Sequence, residues 1–147
     1  MILHAGLMAM RSGGCWKGAL ITGSSGAGKS DLMLRALDCG FRLVADDRTV
    51  AWISDGRLYG RAPDTLQGLM ELRGVGVLSQ PWLPMAEVAF VVRCEGAAAE
   101  VDRMPEPDFQ EIGGVVIPLL RAHALDASAP AKLGRALIRL GHGYRAA

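Results

Sequence analysis

Gly18-Ala19-Leu20-Ile21-Thr22-Gly23-Ser24-Ser25-Gly26-Ala27-Gly28-Lys29-Ser30 is the stretch that decides the fold. Gly18 to Thr22 suits a short buried strand, and it runs straight into a glycine-rich turn. Ser30 to Asp38 then reads as a helix, with Leu32, Leu34, Ala36 and Leu37 available for burial and Gly40 placed to stop it. Gly23 to Ser30 fits GxxxxGK[ST] at every fixed position. Ordinary residue frequencies produce that pattern by accident about once in a few hundred chains of this length, and strand before, helix after is the context it needs. Each residue type has a reason. Glycines let backbone N–H groups curl round phosphate oxygens. The following helix directs free N–H groups and partial positive charge at the anion. Lys29 suits a bridge between β- and γ-phosphates, and the Ser30 hydroxyl suits a magnesium ion. The motif implies a nucleotide phosphate; it leaves the reaction open.

Working outward, Phe41 to Ala45 reads as a second strand ending at Asp46-Asp47. Strand ends in open α/β sheets gather beside the phosphate loop, so the adjacent carboxylates can divide two tasks, orienting a metal ion and accepting a proton. Aspartates after a strand also suit a plain solvated turn. A hairpin is expected over Thr49 to Ile53 and Arg57 to Tyr59, turning at Asp55-Gly56. Arg61 to Pro84, rich in proline and glycine, reads as mostly loop with at most one helical turn. Glu87 to Arg93 suits a central strand. Gly114 to Leu120 suits another, ended by Pro118 or shortly after. Ser128-Ala129-Pro130 looks like a helix start, and Leu133, Ala136, Leu137 and Leu140 make one apolar stripe. Strands alternating with helices give an α/β class, and the hairpin predicts a mixed sheet.

Bulk properties narrow the function. The 147 residues suit one domain with a real core. Half are hydrophobic, as in a folded protein, and 16 basic against 15 acidic residues leave no bulk footprint for nucleic acid. Cys15, Cys39 and Cys94 are odd in number and lack CxxC spacing, which argues against a disulfide framework or zinc site and fits a reducing cytoplasm. No apolar run approaches the roughly 20 residues of a membrane helix, and the start at Met1-Ile2-Leu3-His4 has no signal-peptide pattern.

Beyond the phosphate loop, the chain resembles the HPr kinase/phosphorylase family, specifically its C-terminal kinase domain. Four stretches in order carry the resemblance: Gly23 to Asp31; Gly40-Phe41-Arg42-Leu43-Val44-Ala45-Asp46-Asp47; Met70-Glu71-Leu72-Arg73-Gly74-Val75-Gly76-Val77; and Asp102-Arg103-Met104 followed by Ile112 to Pro118. The third is the family signature, far more specific than a phosphate loop. The resemblance implies one catalytic domain over residues 1–147, with a phosphate-loop core and mixed sheet similar to phosphoenolpyruvate carboxykinase. It implies an ATP- and Mg2+-dependent serine kinase acting on HPr, a carrier of the phosphotransferase system, in a regulatory role. Residue by residue, Asp47 matches the general base, which would act as acid in the reverse phosphorolysis. Asp46 matches a residue positioning metal or nucleophile, Glu71 a magnesium position, and Arg73, Gly74 and Gly76 the signature linking nucleotide site to partner. His4 matches an active-site histidine, and Arg103 a catalytic arginine able to stabilise the transferred phosphoryl. Taken alone, His4 suits a structural role, Glu71 and Arg73 a surface charge pair, and Arg103 an ordinary surface arginine.

Three departures stand beside the likeness. Longer members carry a domain ahead of the kinase domain, so the chain resembles the short form of some bacteria. Met10 to Lys17 reads as a lengthened loop. The family's basic segment near "PVRPGRN", tied to phosphorolysis, has no clear copy in Arg121 to Ser128, which favours kinase over phosphorylase activity. Full-length members form hexamers, implying a homo-oligomer. Two other readings are a kinase of a small metabolite or nucleotide, which would need no protein acceptor, and a non-catalytic nucleotide sensor, which would need no base.

Overall fold

The computed structural model describes residues 1–140. In chain order the elements are β1 (Ile2–Leu3), β2 (Gly6–Ser12), β3 (Cys15–Gly23), α1 (Lys29–Leu37), β4 (Arg42–Ala45), β5 (Thr49–Ser54), β6 (Arg57–Arg61), a 3-10 turn (Asp64–Leu66), β7 (Leu69–Leu72), β8 (Gly76–Ser79), β9 (Ala86–Glu95), β10 (Asp108–Ile112), β11 (Val115–His123) and α2 (Ala129–Leu140). Nine strands form one sheet in the order β1-β5-β6-β9-β3-β2-β4, with β11 also on β9 and β10 outside β11. β3 and β11 run parallel to β9, while the other pairings in this sheet are antiparallel. The sheet is therefore mixed, as expected.

Side-chain alternation sorts the core into two layers. Met8, Ala19, Ile21, Phe90 and Val92 point to one face, where Leu32, Met33 and Ala36 of α1 and Leu133 and Leu137 of α2 cover them. Leu7, Ala9, Leu20 and Val91 point to the other, where they meet Ala51, Leu58, Ile112 and Ile117 from the hairpins. A bulge in β9 keeps this partition. Gly18 pairs with Val88 and Ala19 with Phe90, leaving Ala89 extra. Before it, Ala86 and Val88 serve the hairpin layer; after it, Val91 does, and Phe90, Val92 and Cys94 turn to the helices.

Four sequence-based expectations change. Met10 to Lys17 is hairpin rather than loop: Ser12 pairs with Cys15 across Gly13 (φ 59°) and Gly14 (φ 80°), the two positive dihedrals of a tight hairpin turn. The stretch 61–84 holds its one helical turn but also the separate β7–β8 ribbon. Pro118 does not end its strand. It pairs with Phe109 of β10, and the pairing to β9 begins one residue later, at Leu119, so no ladder N–H is demanded of the proline on that edge. In α1, Leu34 is exposed and Met33 takes the buried position.

Candidate functional site

The glycine-rich turn follows β3 directly, and α1 begins at Lys29. Gly28 has φ 90° and offers no side-chain cap to the helix, so the first-turn N–H groups stay open to an anion. Gly23, at φ 142°, packs over Cys94 at the end of β9; a β-carbon on Gly23 would stand 2.7 Å from the Cys94 carbonyl oxygen. Cys94 is thus the floor of the turn. Burial pushes its thiol up to about 11, against the opposing pull of the Lys29 ammonium. Lys29 Nζ donates to the Gly23 carbonyl at 2.7 Å, which holds its charge over the turn. Ser30 is exposed.

Topology brings the carboxylates to the same edge. β2 lies between β3 and β4 and is antiparallel to both: Gly6 pairs with Ile21 and Leu7 with Ala45. The ends of β3 and β4 therefore point the same way, so Asp46-Asp47 stands at the same end of the sheet as the glycine-rich turn, with one strand between them. Asp47 has φ 63°, and the Arg48 N–H donates to the Asp46 carbonyl at 2.7 Å, closing a tight turn on an exposed Asp47. A left-handed aspartate is tolerated but uncommon, and this one is pinned on both sides. Behind it, the fully buried Thr49 hydroxyl donates to the Ala5 carbonyl at 2.8 Å. Ahead of it, Asp46 Oδ2 accepts the Glu71 backbone N–H at 3.0 Å.

That last bond explains the ribbon. Met70 of β7 is buried under the helix layer, Leu83 N–H donates to the Leu43 carbonyl of β4 at 2.8 Å, and the sequence signature becomes a short hairpin beside the aspartates. Burial lifts the Asp46 carboxyl above the ordinary value; the Glu71 N–H opposes this, and the charges of Asp47 and Glu71 add to the rise. Glu71 is exposed, and Arg73 and Gly74 form the ribbon's exposed turn, with Gly76 opening β8. His4 occupies the bend between β1 and β2. Leu3 pairs with Thr49 and Ala5 accepts the Thr49 hydroxyl, so His4 lies at the same end of the sheet as Asp47. Arg103 is the outlier. It is exposed on the irregular segment between β9 and β10, and among the described residues no hydrogen bond or ion pair ties it to the turn.

The donor set suits magnesium. It is all oxygen: the Ser30 hydroxyl with the carboxylates of Asp46 and Glu71, two of which already sense each other's charge. Among the described residues no cluster of three or more His, Cys, Asp or Glu side chains is placed to hold a metal.

Sequence reading missed the supports. The Cys94 floor, the Thr49 staple and the Glu71 N–H all join residues distant in sequence, and only the apolar run before Cys94 gave any hint. It also missed Arg35, whose guanidinium pairs with Asp31 at 2.8 Å and reaches the Ala124 and Asp126 carbonyls of the β11–α2 loop.

Comparison with known proteins gives concordant matches. The model of the HPr Serine kinase C-terminal domain matches residues 3–82. The HPr kinase/phosphorylase of Limosilactobacillus reuteri is 37% identical over 131 residues, covering 82% of this chain and 39% of that protein. That of Polaromonas naphthalenivorans is 36% identical over 112 residues, covering 68% and 35%. The chain thus spans under two fifths of the length of these curated relatives. Among solved structures, the HPr(Ser) kinase/phosphatase from Coxiella burnetii superposes with a TM-score of 0.78, covering 97% of this chain and 95% of that one at 22% identity, a likeness of fold.

Proposed function

Because the chain belongs to the family of the HPr Serine kinase C-terminal domain, we propose that residues 1–147 are one catalytic domain of an ATP-dependent protein-serine kinase whose acceptor is HPr or an HPr-like carrier. The observation that carries the reading is the common edge: phosphate loop and paired aspartates end parallel strands with only β2 between them.

In this reading the turn from Gly23 to Ser30 binds the polyphosphate through backbone N–H groups, with Lys29 on the β- and γ-phosphates. Magnesium, held by Ser30 with Asp46 and Glu71, would neutralise phosphate charge. Asp47 is exposed, as a base must be when the nucleophile arrives on another protein. Its carboxylate takes the proton from the acceptor's serine hydroxyl. The oxygen then bonds to the γ-phosphorus in line, the bond to the β-phosphate oxygen breaks, and ADP leaves. Lys29 offsets the charge on the transferred phosphoryl, a role the resemblance extends to Arg103 although its segment stands apart from the turn here; His4 belongs to the same site, and Arg73, Gly74 and Gly76 face the partner. The reverse phosphorolysis has weaker support, because Arg121 to Ser128 lacks the family's basic segment. A core like that of phosphoenolpyruvate carboxykinase, a cytoplasmic setting, a homo-oligomer such as a hexamer, and a regulatory role in the phosphotransferase system complete the proposal.

Incubation with labelled ATP, magnesium and HPr is expected to give one phosphoserine. Asp47→Asn is expected to lower that rate by about 10²- to 10⁴-fold while ATP binding persists. A variant as fast as wild type excludes Asp47 as base.

A further inference from the structure

The nucleotide reading puts the γ-phosphate beside Asp47, so the rest of the nucleotide is taken to leave on the other side of the loop. Asp47 lies on the β4 side of the phosphate loop. β9 and then β11 lie on the other side. With the γ-phosphate toward Asp47, the nucleoside extends toward the loop joining β11 to α2.

That loop is fixed in place. Arg35 of α1 donates from Nη1 to the Asp126 carbonyl at 2.9 Å and from Nη2 to the Ala124 carbonyl, while its Nε is held by Asp31 at 2.8 Å. Turns close on both sides: Asp126 N–H donates to the His123 carbonyl at 3.1 Å, and Ala129 N–H to the Asp126 carbonyl at 3.0 Å. Ala124 is fully buried. Between these clamped neighbours sits Leu125, 64% exposed. Its Cδ2 and Cγ lie 2.8 and 3.0 Å from the point a β-carbon on Gly28 would occupy. An exposed leucine alone means little. This one is held rigidly by its backbone, leans on the phosphate loop itself, and presents its open side where the nucleotide leaves the loop.

We infer that Leu125 is a specificity-determining contact for the nucleoside, its branched apolar side chain packing on the base or the carbon face of the sugar. The inference rests on the nucleotide reading above. It assigns Leu125 to the part of the ligand that inorganic polyphosphates lack, and that difference is the test. Titration calorimetry with magnesium compares ATP and inorganic tripolyphosphate on the wild type, Leu125→Ala and Leu125→Phe, with thermal melts verifying that each is folded. Leu125→Ala is expected to weaken ATP about five- to tenfold and leave tripolyphosphate unchanged. Leu125→Phe, which keeps an apolar surface, is expected to stay within about twofold for both. Equal weakening of ATP and tripolyphosphate would make Leu125 a mere prop for the loop, and an unchanged ATP affinity in Leu125→Ala would exclude the contact; either overturns the inference while the phosphate loop stands. A wild type that binds neither ligand overturns both readings together.

Discussion

Asp46 shows how a site residue can work against the fold that carries it. Its carboxyl is partly buried and shares its surroundings with Asp47 and Glu71, so its folded value lies above the ordinary 3.8. Through that window the native state holds more protons than the unfolded chain, so stability falls as pH rises and the deficit then persists to neutrality. Asp46→Asn keeps an acceptor for the Glu71 N–H and has no charge to desolvate. It is expected to melt higher than wild type at neutral pH without ligand and to converge with it in acid, while transferase activity falls. Melts across the acid and neutral range, paired with an activity assay, check this. Cys94 gives a second residue-scale expectation. Its thiol is buried and pushed up to about 11, whereas Cys15 and Cys39 are exposed. A colourless-to-coloured disulfide reagent should titrate two thiols quickly in the native protein and the third only on unfolding.

At the scale of elements, α2 is an amphipathic helix laid across the helix-side core, with Leu133 and Leu137 essentially inaccessible. Leu137→Ala is expected to cost about 2–5 kcal/mol in urea unfolding. This helix was legible from its start at Pro130 and its apolar stripe. So was the hairpin at Asp55-Gly56, whose φ values of 50° and 73° are those the dipeptide favours. Two other hairpins escaped although they carry the same signal. Gly13-Gly14 and Gly113-Gly114 have the same paired positive dihedrals, yet the first read as loop and the second had no partner strand assigned. β10 buries only Ile112 and three of its five residues are polar, so alternation had little to mark. The β7–β8 ribbon was illegible for a related reason. Its strands are four residues long, β8 is exposed throughout, and its place depends on Met70 reaching a distant core. The glycine-rich turn between strand and helix was legible because its amino acids are dictated locally, by dihedral angle. Its supports were not, because each is a contact between strands far apart in the chain.

For the molecule as a whole, ligand and fold share the same free energy. Magnesium and ATP at about a hundred times the dissociation constant are expected to stabilise the native state by about 2.7 kcal/mol, raising the melting temperature by about 5–11 °C. Scanning calorimetry at several nucleotide concentrations tests this, and a melting point indifferent to nucleotide would contradict the binding reading. The strand order has a further meaning for how the protein is made. The first glycine of the glycine-rich turn is paired with Cys94 and lies close against it. A ribosome releasing this chain from its beginning therefore delivers the loop long before its underside. Until the ninth strand pairs with the third, the nascent polypeptide carries a glycine-rich turn with nothing to stand on. The turn gains its support only when a parallel pairing closes across some seventy intervening residues.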